Sequence, residues 1–166
     1  MANTLLLIAS NTVGAGGTGT VTFSSIPATY TDLLIKVSAR TDNADSADYL
    51  YIKPNGSTAN LTYRNIRGDS INAYSATTNR VVTGGSTSTS NTFGNTEIYI
   101  PNYASANFKS MSADSVQETN GTDGNRFLTA ILWSDTTAIS SLTFTPLVGT
   151  LFLQHSTFYL YGIKKD

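Results

Sequence analysis

The stretch Asp32-Leu-Leu-Ile-Lys-Val-Ser-Ala-Arg40 decides the fold class, because apolar and polar side chains alternate along it. Every second residue from Leu33 to Ala39 is apolar, and Lys36, Ser38 and Arg40 fall on the opposite side. Successive side chains of a β-strand point to opposite faces of a sheet. The pattern therefore predicts a strand with one face in the core and the other face, Arg40 included, in water.

Segments with the same two-residue period recur along the chain, with turn residues between them. This spacing is typical of antiparallel sandwiches, and no segment shows the period of an α-helix. We therefore predict an all-β protein, a single antiparallel β-sandwich domain over residues 1–166 with about nine to eleven strands. The predicted strands cover residues 4–9, 20–24, 32–40, 48–53, 60–66, 96–100, 108–119, 126–133, 139–145 and 157–163.

Two connections have distinctive sequences. Pro54-Asn55-Gly56-Ser57 joins the strands at 48–53 and 60–66, and because proline presets a turn and Asn-Gly tolerates positive φ, it predicts a hairpin. Residues 67–95 lose the alternating pattern and are rich in Ser, Thr, Gly and Asn, which predicts a long surface loop around a short strand at 77–82.

Two of the later strands depart from simple alternation. In residues 108–119 the apolar side chains switch faces, which predicts a β-bulge. In residues 126–133 both faces are apolar, which predicts a strand in the middle of a sheet. Asn120-Gly121 and Asp123-Gly124 mark the turn between these two strands.

Charge is scarce in this chain and neutral polar side chains replace it. Its 166 residues include 11 acidic and 10 basic side chains, against 26 Thr, 19 Ser and 14 Asn. Ser and Thr compete with the hydrogen bonds of a helix and suit strands and turns. The basic residues stand singly apart from Lys164-Lys165, so we expect no nucleic-acid partner.

Other classes are excluded by residues that the chain lacks. It has no cysteine, which excludes disulfides and thiol nucleophiles. The apolar run near the start, Leu5 to Ala9, is too short for a secretory signal and predicts a strand. No run approaches the length of a membrane-spanning helix, so we expect no membrane partner.

The titratable residues form no recognisable catalytic motif. The only imidazole is His155, which we interpret as a surface or hydrogen-bonded residue because a triad needs a base with partners. A glycosidase needs two facing carboxylates, for which Glu97 with Asp114 or Glu118 is the remaining pair. We therefore predict a protein that is not an enzyme and has no cofactor.

Asp42, Asp45 and Asp48 could supply oxygen ligands to calcium, but their spacing does not match an EF-hand loop. We interpret them as part of a solvated loop and predict no metal site.

Tyrosine is the most informative residue type. On several predicted strands the alternation places Tyr opposite the core face, and these positions are Tyr49, Tyr51, Tyr99, Tyr159 and Tyr161. An apolar ring with a polar tip suits a surface that is covered by another molecule and still needs hydrogen bonds. We predict a protein–protein interface at these tyrosines. The alternatives are an ordinary exposed sheet and a surface on which a sugar stacks.

Several segments together resemble a family of small virion proteins of tailed bacteriophages. The resemblance rests on Tyr30 to Leu34 followed by Ser38-Ala39-Arg40, on Phe93 to Tyr103, on Leu132 to Ser134, and on the terminal YLYGIKK. It implies a β-sandwich or jelly-roll module that assembles, often as a trimer, on the capsid surface or on a tail appendage. No residue-specific chemistry follows from it.

The resemblance and the charge-poor faces lead to one expectation and one alternative. We expect a homo-oligomeric, jelly-roll-like decoration or cement protein of the phage capsid, with other virion proteins such as the major capsid protein as partners. Residues 1–20 would serve as an N-terminal assembly arm. The alternative is a tail-fibre or receptor-binding module that recognises a host surface glycan.

Overall fold

The structure, a computed structural model, describes residues 4–69, 71–120 and 124–164. These residues form twelve strands and no helix. The strands are Leu5–Thr12 (β1), Val21–Phe23 (β2), Asp32–Ala39 (β3), Ala47–Pro54 (β4), Leu61–Gly68 (β5), Ala73–Ala76 (β6), Val82–Gly84 (β7), Gly94–Pro101 (β8), Lys109–Glu118 (β9), Gly124–Trp133 (β10), Leu142–Pro146 (β11) and Thr157–Ile163 (β12).

The strands form two antiparallel sheets. The large sheet has eight strands in the order β1-β12-β3-β8-β9-β10-β5-β6, and the small sheet has four in the order β2-β11-β4-β7. The predicted all-β sandwich is confirmed, while a jelly-roll order of strands stays a prediction. The strand number exceeds the predicted range because β6 and β7 both lie within residues 67–95, where the sequence shows little alternation.

The core lies between the sheets, and strand β3 shows why. Leu33, Ile35 and Ala39 have no exposed surface, as the alternation from Asp32 to Arg40 predicts. They pack in one cluster with Phe144 of the small sheet and with the side chains of β12. Full burial stabilises a Leu, Ile or Phe side chain by about 1.5–3 kcal/mol, so the inner faces hold the sheets together.

Arg40 contradicts the prediction of a solvated face. It follows the end of β3, its exposed fraction is 8%, and it lies beneath residues 86–92. Its guanidinium donates to the carbonyl oxygens of Ser86 (2.9 Å), Ser88 (2.8 Å), Thr89 (2.7 Å) and Thr92 (3.2 Å). Five fixed N–H donors suit Arg to this task, so one buried side chain organises a turn-rich segment.

Residues 67–95 are not simply a surface loop. Val81 and Val82 are fully buried, because β7 crosses the inner face of the large sheet. Hydroxyl groups of the large sheet form hydrogen bonds with the backbone of this segment. Ser115 Oγ accepts from the N–H of Val82 at 3.0 Å, and Thr96 Oγ1 donates to the Val82 carbonyl at 3.1 Å. Thr129 Oγ1 donates to the Arg80 carbonyl at 2.7 Å. We call Thr96, Ser115 and Thr129 the hydroxyl track.

The predicted bulge in residues 108–119 is wrong. Polar residues such as Ser115 of the hydroxyl track face the core there, so the strand stays regular although its apolar pattern is interrupted. Strand β9 pairs with β8 and β10 without a register shift. Its inward side chains are Lys109, Met111, Ala113, Ser115 and Gln117, so polar residues occupy core-facing positions. The only register shift between described strands lies instead in β1, between Leu7 and Ala9.

The predicted hairpin is also wrong, although its turn is present. The N–H of Gly56 donates to the Lys53 carbonyl at 3.2 Å, and Asn55 has a φ of 49°. Strand β4 then pairs with β11 and β7, whereas β5 pairs with β10 and β6. The turn therefore passes the chain from the small sheet to the large one. In the second predicted turn, Gly121, Thr122 and Asp123 lie outside the described residues.

Candidate assembly surface

The outer face of the large sheet carries the candidate surface. Strand β10 lies between β9 and β5, as its two apolar faces predict. Only its inward side chains are covered, however, because Leu128 is 53% exposed and Leu132 is 39% exposed. Ile66 of β5, which is 60% exposed, lies directly opposite Leu128. We call Ile66, Leu128, Ala130 and Leu132 the β10 patch.

A second apolar group lies near the opposite edge of the same face. The strand registers place Leu7, Tyr161, Leu34 and Tyr99 side by side across β1, β12, β3 and β8. Leu7 is 55% exposed, and Leu5 on the same strand is 47% exposed. Singly exposed apolar residues are ordinary, but contiguous ones mark contact surfaces. This second group, with Leu5 included, is the aromatic row.

Four charged side chains lie near the middle of this face, and they neutralise one another. Ser112 alone lies between Tyr99 of the aromatic row and Ala130 of the β10 patch. Lys36 pairs with Glu97, and Arg126 Nη2 lies 3.4 Å from Asp114 Oδ2. All four side chains are about half exposed or more, at 47%, 47%, 74% and 49%. Exposed ion pairs contribute only about 0–1 kcal/mol to stability, so their effect here is to leave the face without excess charge.

The structure brings together two of the three candidate carboxylates. Glu97 and Asp114 occupy opposing positions on β8 and β9. Each has a cation beside it, and Lys36 and Arg126 line the same shallow pocket as the two carboxylates. Glu118 stands at the end of β9, where its Oε1 accepts from the N–H of Asn120 at 2.7 Å. This arrangement does not isolate one carboxyl group in the apolar pocket that a catalytic acid requires.

Three of the predicted interface tyrosines share the outer face of the large sheet. Their neighbours Ile98, Ile100, Phe158 and Leu160 are fully buried, as predicted. The rings of Tyr159 and Tyr161 stack with centroids 6.4 Å apart and an interplanar angle of 27°. The Tyr99 hydroxyl donates to Asp32 Oδ2 at 2.8 Å, and this hydrogen bond, followed by burial, raises the pKa of Tyr99.

The other two predicted tyrosines lie on β4 of the small sheet. The Tyr49 ring meets the buried Phe127 edge-on at 5.9 Å, and the Arg80 guanidinium lies 4.3 Å from its centroid. Lys53 Nζ lies 5.8 Å from the Tyr51 ring. Tyr49 therefore has partners within its own chain, and the five tyrosines do not form one surface. Their role as an interface stays a prediction.

The aspartates at 42–48 hold a loop of their own chain. Asp42 accepts from the N–H groups of Thr150 (2.7 Å) and Leu151 (2.9 Å), and Asp48 accepts from that of Gly149 (3.0 Å). Burial raises the pKa of Asp42, but the hydrogen bonds from Thr150 and Leu151 outweigh it and hold the pKa below 3.8. Asp48 is fully buried, so the interpretation as a solvated loop is wrong there.

Neither metal chemistry nor a triad is assembled in the described residues. No group of three or more His, Asp or Glu that could hold a metal ion occurs in residues 4–69, 71–120 and 124–164. His155 is exposed at the end of a turn with a φ of 72°, and its backbone N–H donates to the Val13 carbonyl at 2.9 Å. No serine or carboxylate is hydrogen-bonded to its imidazole in that part of the chain.

Tyr63 carries the largest pKa shift. Its hydroxyl is buried without a hydrogen bond to a described residue, and burial, with a smaller effect of Tyr51, raises its pKa from 10.0 to about 12. The unfolded chain therefore loses this proton first, so stability falls as pH rises from 10 to about 12.

We expect Tyr63→Phe to raise the free energy of unfolding by about 1 kcal/mol at neutral pH, because it removes an unsatisfied buried hydroxyl. It should also flatten the alkaline loss of stability in urea titrations between pH 9 and 12. Tyr159→Phe is the control at a solvent-facing ring. Equal alkaline slopes in the two variants would contradict the assignment.

Comparisons of the chain with protein-family models, curated proteins and solved structures found no match. In the part of the chain that the structure describes, no helix has the length and apolar character needed to span a membrane. The sequence did contain the signal for the β10 patch, since Leu128, Ala130 and Leu132 alternate on one face. The two-residue alternation alone could not show that no other part of the described chain packs on this face.

Proposed function

We propose that this chain is a non-enzymatic structural protein that assembles with copies of itself on a bacteriophage particle. The observation that carries the proposal is the β10 patch, in which Ile66, Leu128 and Leu132 remain 60%, 53% and 39% exposed on a regular strand face. The resemblance to small virion proteins supports the phage setting. A broad sheet face suits a protein that lies against its neighbours, so we propose a capsid decoration or cement role.

The face has the properties of a protein contact surface. Its central charges are paired in opposite signs, through Lys36 with Glu97 and Arg126 with Asp114. Interface cores are depleted of charge and enriched in apolar and aromatic side chains, and a stable contact buries about 800 Å² on each partner. The β10 patch and the aromatic row together extend across the large sheet, so this face offers room for such a contact.

The self-association has a direct test. In size-exclusion chromatography with light scattering at tens of micromolar, we expect the protein to run at a multiple of its 17.7 kDa chain mass. Leu128→Glu places a charge in the middle of the β10 patch and should raise the dissociation constant by at least about tenfold, since an unpaired charge in an interface costs more than 1.4 kcal/mol.

Ser38→Glu is the matched control, because Ser38 is exposed on the same face but outside the β10 patch. It should leave the mass unchanged. If the unsubstituted protein is entirely monomeric at these concentrations, the proposal is contradicted. Loss of assembly in both variants would show that added charge, and not the patch, is responsible.

A second candidate function rests on the stacked pair Tyr159 and Tyr161. Outward aromatic rings beside the polar Lys36 and Glu97 could hold a sugar ring of a host surface glycan, as in a tail-fibre or receptor-binding module. Binding on a glycan array that Tyr161→Ala abolishes would support it. An array without binding, together with labelling of the protein on capsid faces only, would exclude it.

A further inference from the structure

Strand β1 leaves one edge of the large sheet open. Within the described residues it pairs with β12 on one side and with no strand on the other. An open edge presents unpaired N–H and C=O groups to any passing strand. Proteins that stay monomeric protect such edges with charged side chains, prolines, very short strands or β-bulges.

Of these forms of protection, strand β1 has only a bulge, which lies at its centre. It is 8 residues long, whereas β6 at the opposite edge has only 4. The chain contains no proline before Pro27 and no charged side chain before Asp32. Within the part of the chain that the structure describes, the edge is therefore long, neutral and unpaired.

The bulge in β1 makes its two halves face the same way. Leu7 is opposite Tyr161 and Ala9 is opposite Leu160, so Ile8 is the extra residue. Before the bulge Leu5 and Leu7 lie on the outer face, and after it Ser10 and Thr12 do, since they are opposite Tyr159 and Thr157. Leu6 and Asn11 face inward. The order of outward and inward residues therefore reads the same from either end.

This symmetry identifies the strand that fits the edge. Consider a regular strand of 8 residues that pairs antiparallel, over its full length, with its own copy. Each residue that faces outward on one strand would then be opposite a residue that faces inward on the other. With the bulge at the centre, a two-fold axis there pairs Leu5 with Thr12, Leu6 with Asn11, and Leu7 with Ser10, each on a matching face. A two-fold contact between identical surfaces requires this self-complementarity.

We propose that β1 pairs antiparallel with β1 of a second copy, which joins two eight-stranded sheets into one continuous sheet. The inference rests on the proposed self-assembly and adds a second contact to it, at an edge of the sheet away from the β10 patch. Because the strand is neutral, no like charges meet across the axis. Leu7 of each copy belongs to the aromatic row of its own chain, so the outer face would continue across the junction.

Cysteine pairing tests this register, since the chain has no cysteine of its own. Leu7→Cys and Ser10→Cys are made as separate proteins, mixed and oxidised. Opposing residues of adjacent strands have the spacing that a disulfide needs. We expect the yield of disulfide-linked dimer to be at least about tenfold higher in the mixture than in either protein alone, because position 7 of one copy is opposite position 10 of the other and not opposite position 7.

The control mixture is Leu7→Cys with Ser38→Cys, whose second position lies two strands in from the edge. Oligomers by light scattering together with the Leu7–Ser10 cross-link support the pairing. Oligomers without that cross-link overturn the edge contact and leave the self-assembly proposal standing. A monomeric parent without cross-link overturns both. Equal cross-linking in the control mixture would show unspecific collision and overturn the proposed register.

Discussion

Replacing Arg40 with methionine is expected to lower the free energy of unfolding by about 3 kcal/mol, because hydrogen bonds to a charged donor contribute about 1.5–3 kcal/mol and partly or fully buried carbonyl oxygens would lose that donor. The guanidinium donates to four carbonyl oxygens between Ser86 and Thr92. Methionine fills similar space but donates nothing. Urea unfolding followed by tryptophan fluorescence should show a lower midpoint with an unchanged slope.

Arg126→Met provides the comparison for this effect. The Arg126 side chain is 74% exposed and, among the described residues, forms an ion pair with Asp114 alone, at 3.4 Å, so its replacement should change stability by less than about 0.5 kcal/mol. Arg40→Lys should fall between the two, because an ammonium has three donors and cannot match the planar fork. If Arg40→Met proved as mild as Arg126→Met, the carbonyl cage would not be what stabilises residues 86–92.

Gly94→Ala is expected to cost about 2–4 kcal/mol through overpacking against backbone. A Cβ on Gly94 would lie 2.7 Å from the Cα of Thr83 and 2.9 Å from the nitrogen of Gly84. Neither atom can rotate away as a side-chain tip could, so β7 must lift off the large sheet. Thermal unfolding by circular dichroism would record the loss as a lower midpoint temperature.

Gly14→Ala is the matched substitution, because its added Cβ meets nothing within 4 Å. We expect it to change stability by less than about 1 kcal/mol and to favour the folded state through the unfolded chain's entropy. Should Gly94→Ala be equally harmless, the close approach of β7 to β8 would not be a constraint on this fold.

The fold class could be read from the sequence because burial on one side of a sheet leaves a local trace. The alternation from Leu33 to Ala39 predicted buried side chains that are in fact buried. The alternation around Ile98 and Leu160 also placed Tyr99 and Tyr161 correctly opposite the core. The sequence therefore predicted burial correctly wherever the alternation within a residue's own strand decides which face of the sheet its side chain occupies.

The failures share a different cause, which is that the partner lies far along the chain. Ser115 faces inward because it bonds the backbone of Val82, and nothing near Ser115 in sequence reveals this. Arg40 is buried because residues 86–92 fold over it. The turn at Asn55 was recognisable, but the sheet that receives the following strand depends on β10. Likewise, period showed β10 to be apolar on both faces without showing that one face lacks a cover.

The hydroxyl track also makes β7 depend on strands that follow it in the chain. Thr96, Ser115 and Thr129 belong to β8, β9 and β10, which are separate segments of the chain. Their hydroxyl groups form one binding surface for β7 only when the three strands already lie side by side. Strand β7 precedes all three in sequence, yet its docking site does not exist until the sheet they form has assembled. The backbone of this early segment therefore finds its hydrogen-bond partners on strands that the chain supplies later.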